Sequence, residues 1–541
     1  MAADLRTFDH HVIVALDGSN HHHGIALVPP PSNDPRDPLR WPRWFKIVAL
    51  VATAMCNFTG NFAGAGFSVA IVVLEMQFRK SASDVNTLLT FNFLTLGLGN
   101  LFWVPFGVKY GKRASLIVSM AMLFAVLCWT AKASTFNSLL AARCLSGFAA
   151  SAGESIVPGI VNDLFFLHER ASMMSIYIIF TTSATALGPL IAGYMVQYSK
   201  GSWRDYVWLC AALAGFNLLL LIFLYPESNF NRPSIPHSDT LTEDTGTPYT
   251  SGEIKGNMKG DTAHLGFVEP GNDQHDTPIG VQHVDHIPVS WSRTCLSFFT
   301  VDHHVSLLTV AVRPLVVLIH PAVVWAVFVY GTSLAAQVIL IFNLPSFLTP
   351  PPYSFSSSAI GLMQVAALIG FFFGMIAGGY LGDIITVKQI LRAGGHSFPE
   401  QRLMALIPGF VIAPAGCILI AFACSEKLHW VSIAFGFGMV SFGTVYAPNI
   451  ALTYVIERHQ DIAAESLVLI NAFKNLVTFL FTYVAVSWIA SQGWVQVYMI
   501  MFMLVALATL GAIPSYIWGE EMAARIEATQ LHQRYLTNQR K

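Results

Sequence analysis

Three ionisable residues, Arg143, Glu154 and Lys474, stand inside stretches that are otherwise apolar enough to be membrane-embedded. A charge in hydrocarbon is costly unless it meets a partner or water, so each is a functional candidate by default. Arg143 and Glu154 are eleven residues apart on one stretch, which in a helix is about three turns, about 16 Å along the axis and about 20° around it. Arg143, Gly147, Ala150 and Glu154 therefore share one stripe. Burial can raise a carboxyl's proton affinity toward the physiological range, which makes Glu154 a candidate to gain and lose a proton. It reads equally as an inner-interface residue near its helix end. Lys474 is flanked on one helical face by Asn471 and Asn475. Further polar stripes are Asn57 and Asn61; Tyr330, Ser333 and Gln337; and Tyr446, Asn449 and Thr453. Each of these also suits an ordinary interhelical hydrogen bond.

The elements that must position these groups follow from composition. The chain has 541 residues, 54% hydrophobic and only 11% charged, with a mean hydropathy of +0.55. A soluble globular chain carries about a quarter charged residues, so the solvent for most of this one is lipid. A spanning helix needs about 20 mostly apolar residues. Such stretches lie near Phe45 to Val73, Asn86 to Phe106, Ala114 to Ala131, Phe136 to Val161, Ala171 to Gln197 and Tyr206 to Tyr225. Six more lie near Leu315 to Phe347, Ala359 to Leu381, Leu403 to Cys424, Leu428 to Val455, Ile462 to Ala490 and Val495 to Trp518. The expected fold is an all-α integral membrane protein, with twelve transmembrane helices in two pseudo-symmetric six-helix bundles, residues 45–225 and 314–518. Tails at 1–44 and 519–541 and a largely disordered linker at 226–313 complete the layout, the linker being too polar and too rich in Pro, Gly and Ser to fold alone.

Lys and Arg place both termini in the cytosol. The loops on that side carry Arg36, Arg40, Arg43, Lys46, Lys109, Lys112, Arg113, Arg170, Lys388, Arg392, Arg402, Arg458 and Arg525, against Arg79, Lys80, Lys132, Lys200, Arg204 and Lys427 on the other. The polar amino terminus lacks the short apolar core of a cleavable signal, so the first span is expected to target the chain. No metal is expected. The runs His21 to His23 and His283, His286, His303 and His304 read as solvated segments without ligand spacing, and Cys56, Cys128 and Cys144 as packing residues. The stretch Trp291 to Phe299 suits a short surface-lying amphipathic segment. Two six-span halves around a midplane site suit a secondary transporter. No phosphate-cradling signature of an ATP-driven pump and no carbonyl-filter motif is present.

Several motifs add a resemblance. Gly107-Val108-Lys109-Tyr110-Gly111-Lys112-Arg113 follows the second span, and Gly379-Tyr380-Leu381-Gly382-Asp383 follows the eighth. Each resembles one end of the loop signature of the major facilitator superfamily, a turn whose charges can latch the halves in one state. Val108 stands where that family usually has an acid, while Asp383 retains it in the second half. Arg143-Cys144-Leu145-Ser146-Gly147 resembles the family's Arg-x-x-x-Gly helix, and Gly188-Pro189 with Gly193 resembles the signature of its antiporter branch. Asp34-Pro35, Trp41-Pro42, Asp163 to Arg170, Pro226-Glu227 and Pro399-Glu400 are similar to the fungal drug:proton antiporter branch.

The resemblance implies proton coupling through Arg143, with Glu154 as the exchanging acid and Arg143 tuning it. It implies a cavity lined by the polar stripes and Lys474. Gly111, Lys112, Arg113, Gly188, Pro189, Gly193 and Asp383 would serve the conformational change. The expected function is export of a drug, toxin or secondary metabolite in exchange for protons, without cofactor, nucleic acid or enzymatic chemistry, by a monomer in the plasma or vacuolar membrane. The alternatives are uptake of a nutrient such as a polyamine or organic cation by a symporter or facilitator, and a nontransporting sensor, for which the linker and tail are short.

Overall fold

In hydrocarbon no water is present to satisfy backbone N–H and C=O groups, so the apolar runs must close their hydrogen bonds internally as helices. The computed structural model describes residues 37–199, 202–230, 307–392, 398–459, 462–527 and 529. The histidine runs, the Asp34-Pro35 motif and the Trp291 to Phe299 segment lie outside them.

Helix α1 spans Arg43–Phe78, α2 Ala82–Tyr110, α3 Lys112–Lys132, α4 Phe136–Leu164, α5 Leu167–Tyr198 and α6 Trp203–Leu224. In the second half, α7 spans Pro321–Leu348, α8 Ser357–Thr386, α9 Pro399–Ser425 and α10 Trp430–Arg458. One further run, Ala463–Ala523, is long enough to cross twice. It breaks at Gly493, whose φ of 81° and ψ of 170° are not helical, and this divides α11 (463–492) from α12 (494–527). With that break, the eleven long apolar helices among the described residues make twelve spans. Large apolar side chains such as Phe216, Phe372, Phe373 and Leu507 face outward, more than half exposed, the surface expected against acyl chains.

Ends are set by local chemistry. Ser81 and Asp84 form a reciprocal cap at the start of α2, and the Thr135 hydroxyl accepts from Ser138 N at the start of α4, each satisfying N–H groups that have no intrahelical partner. The helix Leu307–Val316 occupies the end of the stretch expected as linker. Its sequence LLTVAVRPLV has one strongly apolar face, and it packs on α2 and α11.

Three seams join the halves: α2 runs along α11, α5 meets the start of α8, and the end of α1 meets α7. The last two lie at the end of the molecule away from the termini. There Ser358 N donates to Gln197 Oε1 at 3.0 Å. A methyl at Gly193 would lie 2.5 Å from the Ser357 carbonyl, and one at Gly361 would lie 3.0 Å from the Pro189 and Leu190 carbonyls. At the terminus-bearing end, Gly379 and Gly382 face open space. The halves are in direct contact at the far end.

Candidate functional site

Small residues seat α4 close against α1 at the turns that carry Glu154. A methyl at Gly60 of α1 would lie 2.7 Å from the Ala150 Cβ, and one at Gly153 would lie 2.8 Å from the Asn57 backbone nitrogen. On this tightly seated helix Glu154 Oε1 lies 2.6 Å from Lys474 Nζ of α11. Its Oε2 accepts from Asn100 Nδ2 of α2 at 3.0 Å and from Asn475 Nδ2 of α11 at 2.9 Å. The Lys474 ammonium also lies 4.0 Å from the centroid of the Tyr330 ring of α7. Only 10% of the Glu154 side chain and 6% of that of Lys474 are exposed. Desolvating two charges is expensive, and it is tolerated here because each charge is matched and the carboxylate's second oxygen is filled. The pair joins one half to the other.

A neutral network surrounds it. Asn57 Nδ2 donates to the Tyr177 hydroxyl at 3.0 Å and to Thr181 Oγ1 at 2.6 Å. Tyr177 donates in turn to the Glu154 backbone carbonyl at 3.3 Å. Asn61 Nδ2 donates to the carbonyl and side-chain oxygen of Asn57, both at 2.9 Å. The expected pair Asn57 and Asn61 is therefore beside the acid, on the α1–α5 side.

Arg143 is elsewhere. Its guanidinium donates to the carbonyls of Leu88, Ala63 and Gly64, each at 3.3 Å, and lies 4.6 Å from the Phe67 ring centroid. The Arg143 carbonyl accepts from Asn92 Nδ2 at 2.9 Å. These contacts staple α4 to α1 and α2 where α1 tightens into a 3₁₀ turn at Phe67–Ala70. Arg143, expected to tune Glu154, spends its guanidinium on these carbonyls and the Phe67 ring. Eleven residues of straight helix hold the two groups about 16 Å apart, and the cation on Glu154 comes from α11.

The remaining expected residues divide. Tyr330 is at the pair, while Ser333 and Gln337 are buried further along α7, the Ser333 carbonyl accepting from Thr444 Oγ1 at 3.1 Å. Tyr446, Asn449 and Thr453 do share a helical face, but it turns toward α8 and α9 rather than the junction. Tyr446 donates to the Ala405 carbonyl at 2.7 Å and stacks on Phe442. Asn449 sits against Gly378, and Thr453 bonds the Asn449 carbonyl of its own helix. On α10 it is Thr444 that faces α7. Asn100, Tyr177, Thr181 and Phe67 were not anticipated. An asparagine in the middle of the second apolar stretch was the signal available for Asn100.

The loop motif closes within its own half. Gly111 has φ 97°, a conformation that costs other residues dearly, and it turns α2 into α3. Lys112 pairs with Asp163. The backbone nitrogens of Lys112 and Arg113 each donate to the Glu227 carboxylate at 3.1 Å, and the fully buried Arg113 donates to the Ile222 carbonyl at 2.7 Å. Burial pushes the Glu227 carboxyl above its usual range, against the lowering effect of those hydrogen bonds. In the second half a wide π-type turn, Ala377–Leu381, precedes the helix that begins at Gly382 and carries Asp383. At the other end, a methyl at Gly188 would lie 2.6 Å from the Phe62 carbonyl, which keeps α5 in contact with α1 beside Pro189.

The family model described as Major Facilitator Superfamily matches residues 50–482. The chain is similar to Protein HOL1 of Saccharomyces cerevisiae, at 26% identity over 92% of this chain and 90% of that protein. It is also similar to MFS antiporter QDR3 of Candida albicans, at 21% identity over 85% of this chain and 75% of that one. Among solved structures, a D-xylose–proton symporter superimposes with a TM-score of 0.56 at 14% identity, covering 86% of this chain and 96% of the other, and so shares the fold.

Proposed function

The chain belongs to the Major Facilitator Superfamily, and on that premise we propose that it exports a small organic molecule by alternating access, in exchange for protons. The family's members are multi-pass membrane transporters and not enzymes. The observation that carries the reading is the Glu154–Lys474 ion pair, buried where the two halves meet. A proton arriving at Glu154 removes one charge of that pair and loosens a tie between α4 and α11. The halves then rock about the α2–α11 seam, and loss of the proton on the other side restores the tie.

Arg143 holds the carbonyls of α1 against α4 so that the far-end seal and the ion pair move together, and the Gly188–Pro189 segment lets α5 rock on α1. With the positively charged loops in the cytosol, the end closed by Gln197 and Ser358 faces away from the cytosol, with the pair formed. Export is supported by the Gly188-Pro189 motif and by the word antiporter in the name of the Candida albicans relative. The plasma membrane is the expected location, with both termini cytosolic and the monomer as the working unit.

The test is efflux of a panel of fluorescent and toxic organic compounds from cells expressing the chain, with and without a collapsed proton gradient. Gradient-dependent loss of one compound class, abolished by Glu154→Gln and by Arg143→Ala, is the expected result. Gradient-driven accumulation instead reverses the direction and makes the chain an uptake symporter. Unchanged proton-driven transport in both variants ends the coupling assignment.

A further inference from the structure

Lys474 occupies its site as a bound organic cation would. Its ammonium lies 2.6 Å from a Glu154 carboxylate oxygen and 4.0 Å from the centre of the Tyr330 ring. A carboxylate for charge and an aromatic face for the cation are the contacts by which proteins hold alkylammonium ligands. The other Glu154 oxygen is filled by the amides of Asn100 and Asn475, so one oxygen remains for one cation. The side chains hydrogen-bonded around the acid's helix turn, Asn57, Asn61, Tyr177 and Thr181, are neutral. An anionic ligand would find no ready counter-charge: Lys474 is held by Glu154, and the Arg143 guanidinium is engaged by three carbonyls.

We propose that the substrate of this site is an organic molecule with a single positive charge, an alkyl or arylalkyl ammonium, that displaces Lys474 from Glu154 and Tyr330. The inference rests on the transporter reading above and deepens it. Lys474 reaches the pair on its four-carbon stem from the C-terminal half, while Glu154 belongs to the N-terminal half, so an incoming cation breaks the tie between halves just as a proton does. Substrate and proton then compete for one carboxylate, which is what coupled exchange requires. Lys474 is the tethered stand-in that fills the site when neither is bound. A second charge on the ligand would meet only neutral groups, which sets the preference for monocations.

The experiment measures thermal stabilisation of the purified full chain by three probes of one shape: 4-phenylbutylammonium, 4-phenylbutanol and 4-phenylbutyrate. The amine is expected to stabilise and the alcohol and carboxylate not. Lys474→Met removes the internal competitor and should tighten amine binding at least tenfold, whereas Glu154→Gln should weaken it at least tenfold. If Lys474→Met does not fold, the Tyr330 pair decides: Tyr330→Phe keeps the ring and the amine affinity, and Tyr330→Leu lowers it about fivefold or more. Equal stabilisation by the alcohol or carboxylate overturns the proposal. So does amine binding that neither Lys474→Met tightens nor Tyr330→Leu weakens. Counterflow in proteoliposomes separates this from the transporter reading. A chain that moves a neutral solute yet fails the amine test keeps that reading and loses this one, and a chain that binds the amine but moves no solute loses the transporter reading.

Discussion

Lys474→Met tests whether the ion pair is a structural tie, because it removes the cation while keeping an unbranched apolar stem of similar reach. In the parent, Glu154 has Lys474 on one oxygen and two amide donors on the other. The variant leaves a nearly buried carboxylate with the amides alone, and removing one member of a buried pair costs about 3–5 kcal/mol. The loss is therefore expected at about 3–5 kcal/mol. Glu154→Gln introduced into Lys474→Met removes the stranded charge and should recover most of the loss. The assay is unfolding of purified chains in mild detergent, read as a double-mutant cycle. Additive losses from the two substitutions would refute the claim that these charges hold one another.

Three further outcomes are expected. Gly193→Ala puts a methyl 2.5 Å from the Ser357 carbonyl, a backbone clash that opens the far-end seal; cysteines placed at Gln197 and Ser358 should crosslink less readily than in the parent, and unchanged crosslinking contradicts the seal. Arg143→Lys keeps the charge but presents an ammonium in place of the planar fork that reaches three carbonyls and a ring; transport should fall at least tenfold with protein amount little changed, since lysine does not reproduce that geometry. Glu227 has a carboxyl whose affinity is raised in the fold by burial, so the stability it contributes is fully present below its unfolded value and is lost as pH rises through the folded one. The stability advantage of the parent over Glu227→Gln should accordingly narrow between pH 4 and pH 7 in detergent unfolding.

How much of this protein was legible beforehand follows from the range of the interactions concerned. Apolar run length is a local property matched to bilayer thickness, so the spans could be read from composition, and even the division of the last long helical run at Gly493 falls between two apolar stretches. Arg143, Glu154 and Lys474 were legible as candidates because an intramembrane charge is conspicuous wherever it folds. Helical periodicity correctly put Tyr446, Asn449 and Thr453 on one face, but periodicity is indifferent to which neighbour that face meets, and α10 turns it toward α8 and α9. The same limit explains Arg143: spacing along one helix fixed its distance from Glu154, yet its partners are carbonyls of α1 and α2, which any sequence supplies at every residue. The sequence by itself determined twelve apolar helices, their shared handling of backbone hydrogen bonds and the identity of the costly charges. Only the tertiary structure decided that Glu154 answers to Lys474, more than three hundred residues away, because the choice of counter-ion depends on how two separately folded helical halves come together and not on anything either span encodes alone.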